Sequence, residues 1–163
     1  MAGTEVSTDE HADLWLTSSE LASWMSVVRL VTRLPWALDA QLQRDADLIL
    51  VEYTAMAKLS EAPQWTMRMS TLAGLTNSSL SRLSHVVKRL EGRGYARRET
   101  DPTDGRFTNA ILLPAGMNKL ESAAPGHVAY IRRLLIDNLS SERLRRLGQD
   151  ADRIVQRIDS PAN

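Results

Sequence analysis

Cysteine is absent from the 163 residues of this chain, which excludes disulfide bonds, thiolate zinc sites and cysteine-based redox sensing. No apolar run approaches the roughly 18 residues that a bilayer-spanning helix needs, so no membrane partner is expected. Residues 1–14 contain acids but no lysine or arginine, unlike the basic start of a signal peptide. We therefore expect residues 1–14 to form a disordered leader and the protein to be cytoplasmic.

Arrangements that would support catalysis are also lacking. The three histidines do not have the spacing of metal ligands. Ser84 and His85 cannot form a nucleophile–base pair, because adjacent residues of a helix point apart. With no phosphate-binding loop either, the sequence predicts no enzyme, no metal site and no cofactor.

The net charge is zero, but the charges are unevenly distributed. Residues 68–106 contain eight basic and four acidic residues, a net charge of +4, whereas residues 1–67 contain four and ten, a net charge of −6. Such a local basic region is typical of nucleic-acid binding, because affinity comes largely from neutralising phosphates. A solvated helix face explains the same charges equally well.

The periodicity of apolar residues predicts a mainly helical chain. A first helix is expected from about Thr17 to Arg44, capped by Thr17, Ser18 or Ser19 and kinked or restarted at Pro35. A second helix is expected over residues 48–59. Beyond the middle of the chain, Pro114 opens a helix that should bend at Pro125-Gly126 and resume over 128–139. A last helix should start at residues 140–142 and end before residue 160.

The middle of the chain combines a short helix, a turn, a second helix and a hairpin. Residues 69–75 and 79–91 have helical patterns, and Thr76-Asn77 can turn while Ser78 caps the second helix. Strands are expected over 95–100 and 107–113, joined by the strong turn signal of residues 101–105. This order predicts a helix-turn-helix followed by a β-hairpin wing.

The second helix of this pair has two distinct faces at 100° per residue. Its expected buried band contains Leu80, Leu83, Val87 and Leu90, with Val86 at the edge. Its other face carries short hydroxyls and cationic side chains that can reach phosphates and base edges. An ordinary amphipathic helix is the alternative when this helix is taken alone. The polar residues are Ser78, Ser81, Arg82, His85, Lys88 and Arg89.

The predicted wing carries Arg106 beside its tip and Asp104 two residues earlier. An arginine at a wing tip can enter the narrow minor groove, and a nearby carboxylate can orient its guanidinium through a bidentate pair. The alternative is an exposed ion pair with little energetic effect.

These motifs, in this order and spacing, resemble those of the MarR family of bacterial regulators. The resemblance is carried by Leu72-Ala73, Ser81-Arg82-Leu83, the run from Lys88 to Tyr95, Arg98, the run from Asp101 to Arg106, and Leu112 to Gly116.

The resemblance implies a homodimer with intertwined N- and C-terminal helices, whose two winged lobes bind a palindromic operator. By this match, Asp104 and Arg106 resemble the family's Asp-x-Arg wing pair, while Ser79, Ser81 and Arg82 fall on recognition-helix positions. Gly105 stands where many members have a second wing-tip arginine. Leu113 stands where a threonine usually precedes the next helix, so we expect a weaker cap there.

The predicted fold is mainly α, a winged helix-turn-helix with N- and C-terminal dimerisation helices and one small β-hairpin wing. Residues 15–46 form the N-terminal dimerisation helix, 47–116 the DNA-binding lobe and 117–163 the C-terminal dimerisation helices. Apolar stripes over 17–44 and 117–158 exceed what one small lobe can cover, which also favours a dimer.

Four tryptophans lie in or near the N-terminal helices, where core and dimer packing is the simpler explanation. The functional alternative, which family members often show, is an aromatic effector pocket. Its predicted residues are Trp15, Trp24, Met56 and Met67, because methionines make adaptable walls. His127 is expected at the surface, and a polar group of the effector pocket is the alternative for it.

The sequence therefore predicts a DNA-binding transcriptional repressor, released by a small and aromatic ligand. The alternative function is a winged-helix protein-interaction module without its own operator.

Overall fold

The computed structural model describes residues 15–160 of the chain. The predicted leader lies outside these residues. The described residues divide into two compact units, a first that ends at Ala37 and a second that begins at Leu38. The helices are α1 (Ser18–Ala46), α2 (Leu50–Glu61), α3 (Met69–Leu75), α4 (Leu80–Gly92), α5 (Pro114–Leu134) and α6 (Ser141–Asp159). The strands are β1 (Thr66–Arg68), β2 (Ala96–Thr100) and β3 (Thr108–Leu112).

The described part of the first unit contains the start of α1, which is capped by Thr17. The Thr17 hydroxyl accepts a hydrogen bond from the Glu20 backbone N–H at 3.3 Å, and the Thr17 N–H donates to the Glu20 carboxylate at 2.8 Å. This reciprocal capping box satisfies two of the unpaired donors at the helix start, as predicted. Large apolar side chains in this unit are exposed, among them Leu21, Trp24, Met25, Val31 and Trp36.

Neither internal proline ends its helix. Helix α1 continues through Pro35 to Ala46, and α5 continues through Pro125 to Leu134. Of the two predicted effects of Pro35, a kink or a restart, the restart is therefore wrong. A proline removes one backbone donor from a helix, and both helices continue beyond theirs without it.

Leucine is the commonest residue in the core of the second unit. Leu42 of α1 and Leu59 of α2 have no exposed surface, and the same is true of Leu72, Leu83 and Leu90 from α3 and α4. Helix α2 begins two residues later than predicted. The physical reason is that Asp39 and Glu52 accept hydrogen bonds from the N–H groups of Leu50 and Ile49, which places the cap at Ile49.

A three-stranded antiparallel sheet, in the order β1-β3-β2, closes this core. The hairpin of β2 and β3 confirms the predicted wing, with Ala96 paired to Leu112 and Thr100 to Thr108. Strand β1 was not predicted. It is only three residues long, and it pairs Thr66 with Ile111 and Arg68 with Asn109 on the other side of β3.

Helix α5 ends earlier than the predicted residue 139. The Asn138 side chain donates hydrogen bonds to the carbonyls of Arg133 and Leu134 at 2.7 and 3.2 Å, so it satisfies carbonyls at the end of α5. A short 3₁₀ turn, Ile136–Asn138, follows. Ser140 then caps α6 through the Arg143 N–H, as expected from the sequence. Between residues 15 and 160, no helix is both long and apolar enough to cross a membrane.

Candidate nucleic-acid interface

Helices α3 and α4 form the predicted helix-turn-helix, and α4 has one buried and one exposed face. Leu83, Val86, Val87 and Leu90 are buried. Leu80, predicted in the buried band, is 54% exposed. It is the first residue of α4 and lines a surface cleft, whereas Val86, predicted at the edge of the band, is buried.

The start of α4 is capped by Ser79 and not by Ser78. The Ser79 hydroxyl accepts a hydrogen bond from the Arg82 N–H at 3.2 Å. Ser78 is half-buried and completes the preceding turn, because its N–H donates to the Ala73 carbonyl at 2.9 Å and its hydroxyl to Thr76 at 3.2 Å. The other predicted contacts on α4 are exposed, namely Ser81, Arg82, His85 and Lys88.

The wing tip holds Arg106 in one orientation. Its Nε and Nη2 donate to the two carboxylate oxygens of Asp104 at 3.0 and 2.7 Å, and the Arg106 side chain is 85% exposed. This hydrogen bonding lowers the pKa of Asp104 and raises the pKa of Arg106. The geometry of the predicted wing pair is thus confirmed, although its contact with DNA stays a prediction.

Asp101 organises the base of the wing loop. It accepts hydrogen bonds from the hydroxyl and N–H of Thr103 at 2.6 and 2.9 Å and from Arg68 Nε at 3.3 Å. The Thr103 bonds hold the pKa of Asp101 well below its usual range, so the loop keeps this carboxylate ionised. Arg68 also lies over the Phe107 ring, 4.2 Å from its centroid.

The ion pair between Arg98 and Glu91 joins the wing to α4. Arg98 of β2 donates from Nε and Nη2 to Glu91 of α4 at 3.0 and 2.7 Å, and from Nη1 to Ser84 at 3.1 Å. The side-chain hydrogen bond from Arg98 lowers the pKa of Glu91. A cleft of about 250 Å³ between α4 and the wing is lined by Arg68, Arg98 and Arg106. The side chain of Arg98 therefore connects the wing to α4 through Glu91 and Ser84.

Most of the basic residues in the region with net positive charge are already paired with carboxylates. Of the eight basic residues between 68 and 106, six contact carboxylates of the described chain. Arg82 and Lys88 have no such partner within residues 15–160, and both are exposed on α4. Among the α4 cations they are the ones most available to phosphates. The six paired residues are Arg68, Arg89, Arg93, Arg97, Arg98 and Arg106.

The four residues predicted to bind an effector lie in different environments. In the first unit, Trp15 is 80% and Trp24 55% exposed. In the second unit, Met56 has no exposed surface and belongs to the core, so it cannot line an open pocket of this protomer. Met67 is half-buried and lines a surface pocket with Lys58 and Leu75. The effector pocket stays a prediction.

His127 is buried, contrary to the prediction of a surface position. It is 5% exposed, with Nδ1 2.8 Å from Gln41 Oε1 and its ring centroid 4.5 Å from that of Tyr53. Burial lowers the pKa of His127 and raises that of Tyr53. The sequence pattern missed this residue because its partners, the buried Gln41 of α1 and the half-buried Tyr53 of α2, are far away in the chain.

Comparison with known proteins identifies the family. Residues 48–108 match the MarR family model. The chain is 42% identical to Sco3205, a MarR family transcriptional regulator from Streptomyces coelicolor whose crystal structure was solved in complex with DNA. That match covers 91% of this chain and 96% of Sco3205, with a TM-score of 0.85. This chain belongs to the MarR family.

Two further solved structures agree. AbsC, a MarR family transcriptional regulator from Streptomyces coelicolor, is 35% identical over 89% of this chain and 97% of its own, with a TM-score of 0.84. A probable transcriptional regulator from Pseudomonas aeruginosa is 25% identical over 78% of this chain and 96% of its own, with a TM-score of 0.67. A search of curated protein sequences gave no match.

The protein is thus a MarR family transcriptional regulator with a winged-helix fold. It departs from the expected family pattern at Leu113, which precedes α5 and makes no side-chain capping bond. Pro114 follows at the first helical position, where a missing N–H costs nothing. Gly105 at the wing tip leaves Arg106 as the arginine that the loop presents.

Proposed function

We propose that the protein binds a palindromic operator as a homodimer and represses transcription. The observation that carries this proposal is the bidentate Asp104–Arg106 pair, which fixes the orientation of an arginine whose side chain is 85% exposed. An arginine orientated in advance loses less side-chain entropy when it enters a minor groove. The DNA complex of Sco3205, a 42% identical relative, supports the choice of DNA as partner. Because DNA is the target, the cytoplasm is the expected compartment.

In this proposal α4 lies in the major groove. Arg82 and Lys88 neutralise phosphates or donate to guanine, because no carboxylate of the described chain holds them. Ser81 is short enough for a close approach of the helix, and His85 can donate or accept one hydrogen bond at a base edge. Ser79 and Ser78, at the start of the helix, are placed near the phosphate backbone.

Dimerisation is supported by the apolar face of α6. Ile154, Val155 and Ile158 are 53–69% exposed, and α6 buries no residue in the protomer. Exposed apolar surface of this kind marks an interface. In the first unit, the exposed Trp24 and Val31 of α1 support the same conclusion independently. A two-fold dimer presents two α4 helices, and therefore favours a palindromic site.

The proposal also includes release of the protein from DNA by a small aromatic ligand. It is supported by the exposed Trp15 and Trp24 of the first unit and by the pocket beside Met67 in the second. Repression follows if the operator overlaps a promoter, since a bound dimer then occludes it. Small aromatic molecules are the first ligands to test for release of bound DNA.

Selection of binding sites from random DNA tests the proposal. We expect enrichment of an inverted repeat whose half-sites lie about one helical turn apart. Light scattering should give about twice the chain mass of 18.2 kDa. Selection without any enriched sequence, together with capture of a protein partner by the same surface, would establish the alternative of a protein-interaction module.

A further inference from the structure

The turn between α1 and α2 is closed by two carboxylates. Asp39 of α1 accepts a hydrogen bond from the Leu50 N–H at 2.6 Å, and Glu52 Oε2 accepts one from the Ile49 N–H at 3.0 Å. Both bonds satisfy donors that a helix start leaves unpaired. This capping needs only one of the two oxygens of Glu52.

The second oxygen of Glu52 faces α4. Glu52 has no exposed surface, and its Oε1 lies 3.1 Å from Nε of Arg89, while Arg93 Nη1 lies 3.9 Å from Oε2. No aligned hydrogen bond reaches Oε1 from the residues that the structure describes. A buried carboxylate is costly unless cations compensate it. Arg89 and Arg93 are the cations that do so here.

Arg93 ties the end of α4 to the same turn a second time. Its Nη1 donates to the Asp47 carbonyl at 2.7 Å and its Nη2 to the Asp47 carboxylate at 2.8 Å. Asp47 has a φ of 50°, in the left-handed region that lets the chain reverse after α1. The last turn of α4 is thus attached to the α1–α2 turn at two places.

We infer that Glu52 is a positioning residue for operator recognition, acting on α4 through Arg89 and Arg93. This inference rests on the proposed function. A helix with side chains has a radius of about 5–6 Å, so a rotation of about 10° moves a side-chain tip by roughly 1 Å. Recognition of base edges depends on shifts of that size. In this inference Arg89 orients α4 through its contact with Glu52 and does not contact a phosphate.

Glu52→Gln tests the inference, because the amide oxygen can still accept from Ile49 while the charge disappears. Affinity for the selected operator should fall about 3- to 30-fold, the scale on which residues without ligand contact shift binding. Affinity for random duplex DNA and the salt dependence should stay unchanged. The matched control is Glu61→Gln, the same substitution on an exposed residue of α2 paired with Lys58, which should leave operator affinity unchanged.

A second variant keeps the test decisive if Glu52→Gln does not fold. Arg93 and the Ile49 N–H still face Glu52 when Arg89, which is 58% exposed, is replaced, so Arg89→Gln should be less stable but still fold, and it should weaken operator binding with the salt slope preserved. In the double variant the two losses should not add, because both act through one contact. Binding is measured at a temperature at which thermal melting shows every variant fully folded.

Two results would overturn the inference. One is unchanged operator affinity in folded Glu52→Gln or, where that variant does not fold, in Arg89→Gln. The other is an Arg89→Gln variant that loses operator and random DNA affinity equally, with a salt slope lower by about one, since this identifies a phosphate contact. A wild-type protein that selects no operator contradicts the proposed function itself, which separates the two failures.

Discussion

Helices α4 and α6 share the same local sequence features but differ in whether their apolar faces are buried. A serine caps each of them, Ser79 in α4 and Ser140 in α6. Each also has an apolar stripe along one face. In α4 that stripe is buried, whereas no residue of α6 is buried in the protomer. An amphipathic pattern therefore shows that a face needs covering and does not show which surface covers it.

This difference distinguishes the stability of the fold of one chain from the stability of the proposed dimer. The apolar face of α4 packs on α3 and β2 within one chain, so the lobe that contains α4 has its own core. The apolar face of α6 becomes covered only in the proposed dimer. Substitutions in the lobe and in α6 should consequently have effects that different measurements detect.

The largest effect is expected from breaking the apolar face of α6. Ile154→Glu combined with Ile158→Glu places two charges where a partner should pack, so light scattering should give the mass of one chain. Operator affinity should fall by roughly 100-fold or more, because two linked half-site contacts are lost. The matched control introduces the same two charges on the opposite face, by Gln149→Glu and Gln156→Glu. A dimer that survives the first pair of substitutions would contradict the role assigned to α6.

Arg106→Ala should affect DNA binding without affecting mass or fold. We expect operator affinity to fall about 5- to 150-fold, the usual scale for a specific DNA contact. Fluorescence anisotropy with a labelled operator measures this change, and circular dichroism checks the helix content. Lys58→Ala removes one positive charge from α2 and serves as control. Equal affinities of Arg106→Ala and Lys58→Ala would remove Arg106 from the wing role.

Gly116→Ala tests how tightly the lobe is packed. A Cβ atom at Gly116 would overlap the Tyr95 carbonyl oxygen, whereas a Cβ at Gly126, in the same helix, meets nothing within 4 Å. Gly116→Ala should lower the free energy of unfolding by about 1–3 kcal/mol. Gly126→Ala should raise it by up to about 1 kcal/mol. Urea unfolding at one fixed protein concentration compares them, and effects of the same sign would show that the contact is not tight.

The smallest effect concerns the pH dependence conferred by His127. Burial lowers its pKa in the folded protein, so the unfolded chain binds the proton more readily. The stability that His127 contributes is therefore complete above the unfolded value of about 6.5 and is lost as the pH falls below it. The groups around it are Gln41, which donates to Asp45, and Tyr53.

Melting temperatures of the wild type and His127→Gln measure this contribution. The difference between the two proteins should shrink or reverse as the pH falls from about 7 to about 5, because only the wild type loses the stability of a buried neutral imidazole. A difference that is constant over this range would show that His127 does not couple protonation to folding.

The sequence by itself determined the features that depend on neighbours along the chain. Thr17 with Glu20, and Ser140 before α6, mark helix starts because a capping side chain reaches an N–H only a few residues away. The turn over residues 101–105 and the spacing of Asp104 and Arg106 likewise determine the hairpin and its ion pair. These local signals were sufficient for the order of helices, for the wing and for the family.

Tertiary structure alone decided which side chains these elements bring together. Strand β1 is three residues long, too short for an alternating pattern, and it exists because β3 offers an unpaired edge. His127 is buried because α1 and α2 supply Gln41 and Tyr53, and Glu52 faces Arg89 only after α2 and α4 pack. Such contacts join residues 37 to 86 positions apart, and their free energy depends on packing and desolvation that no local spacing of residues encodes.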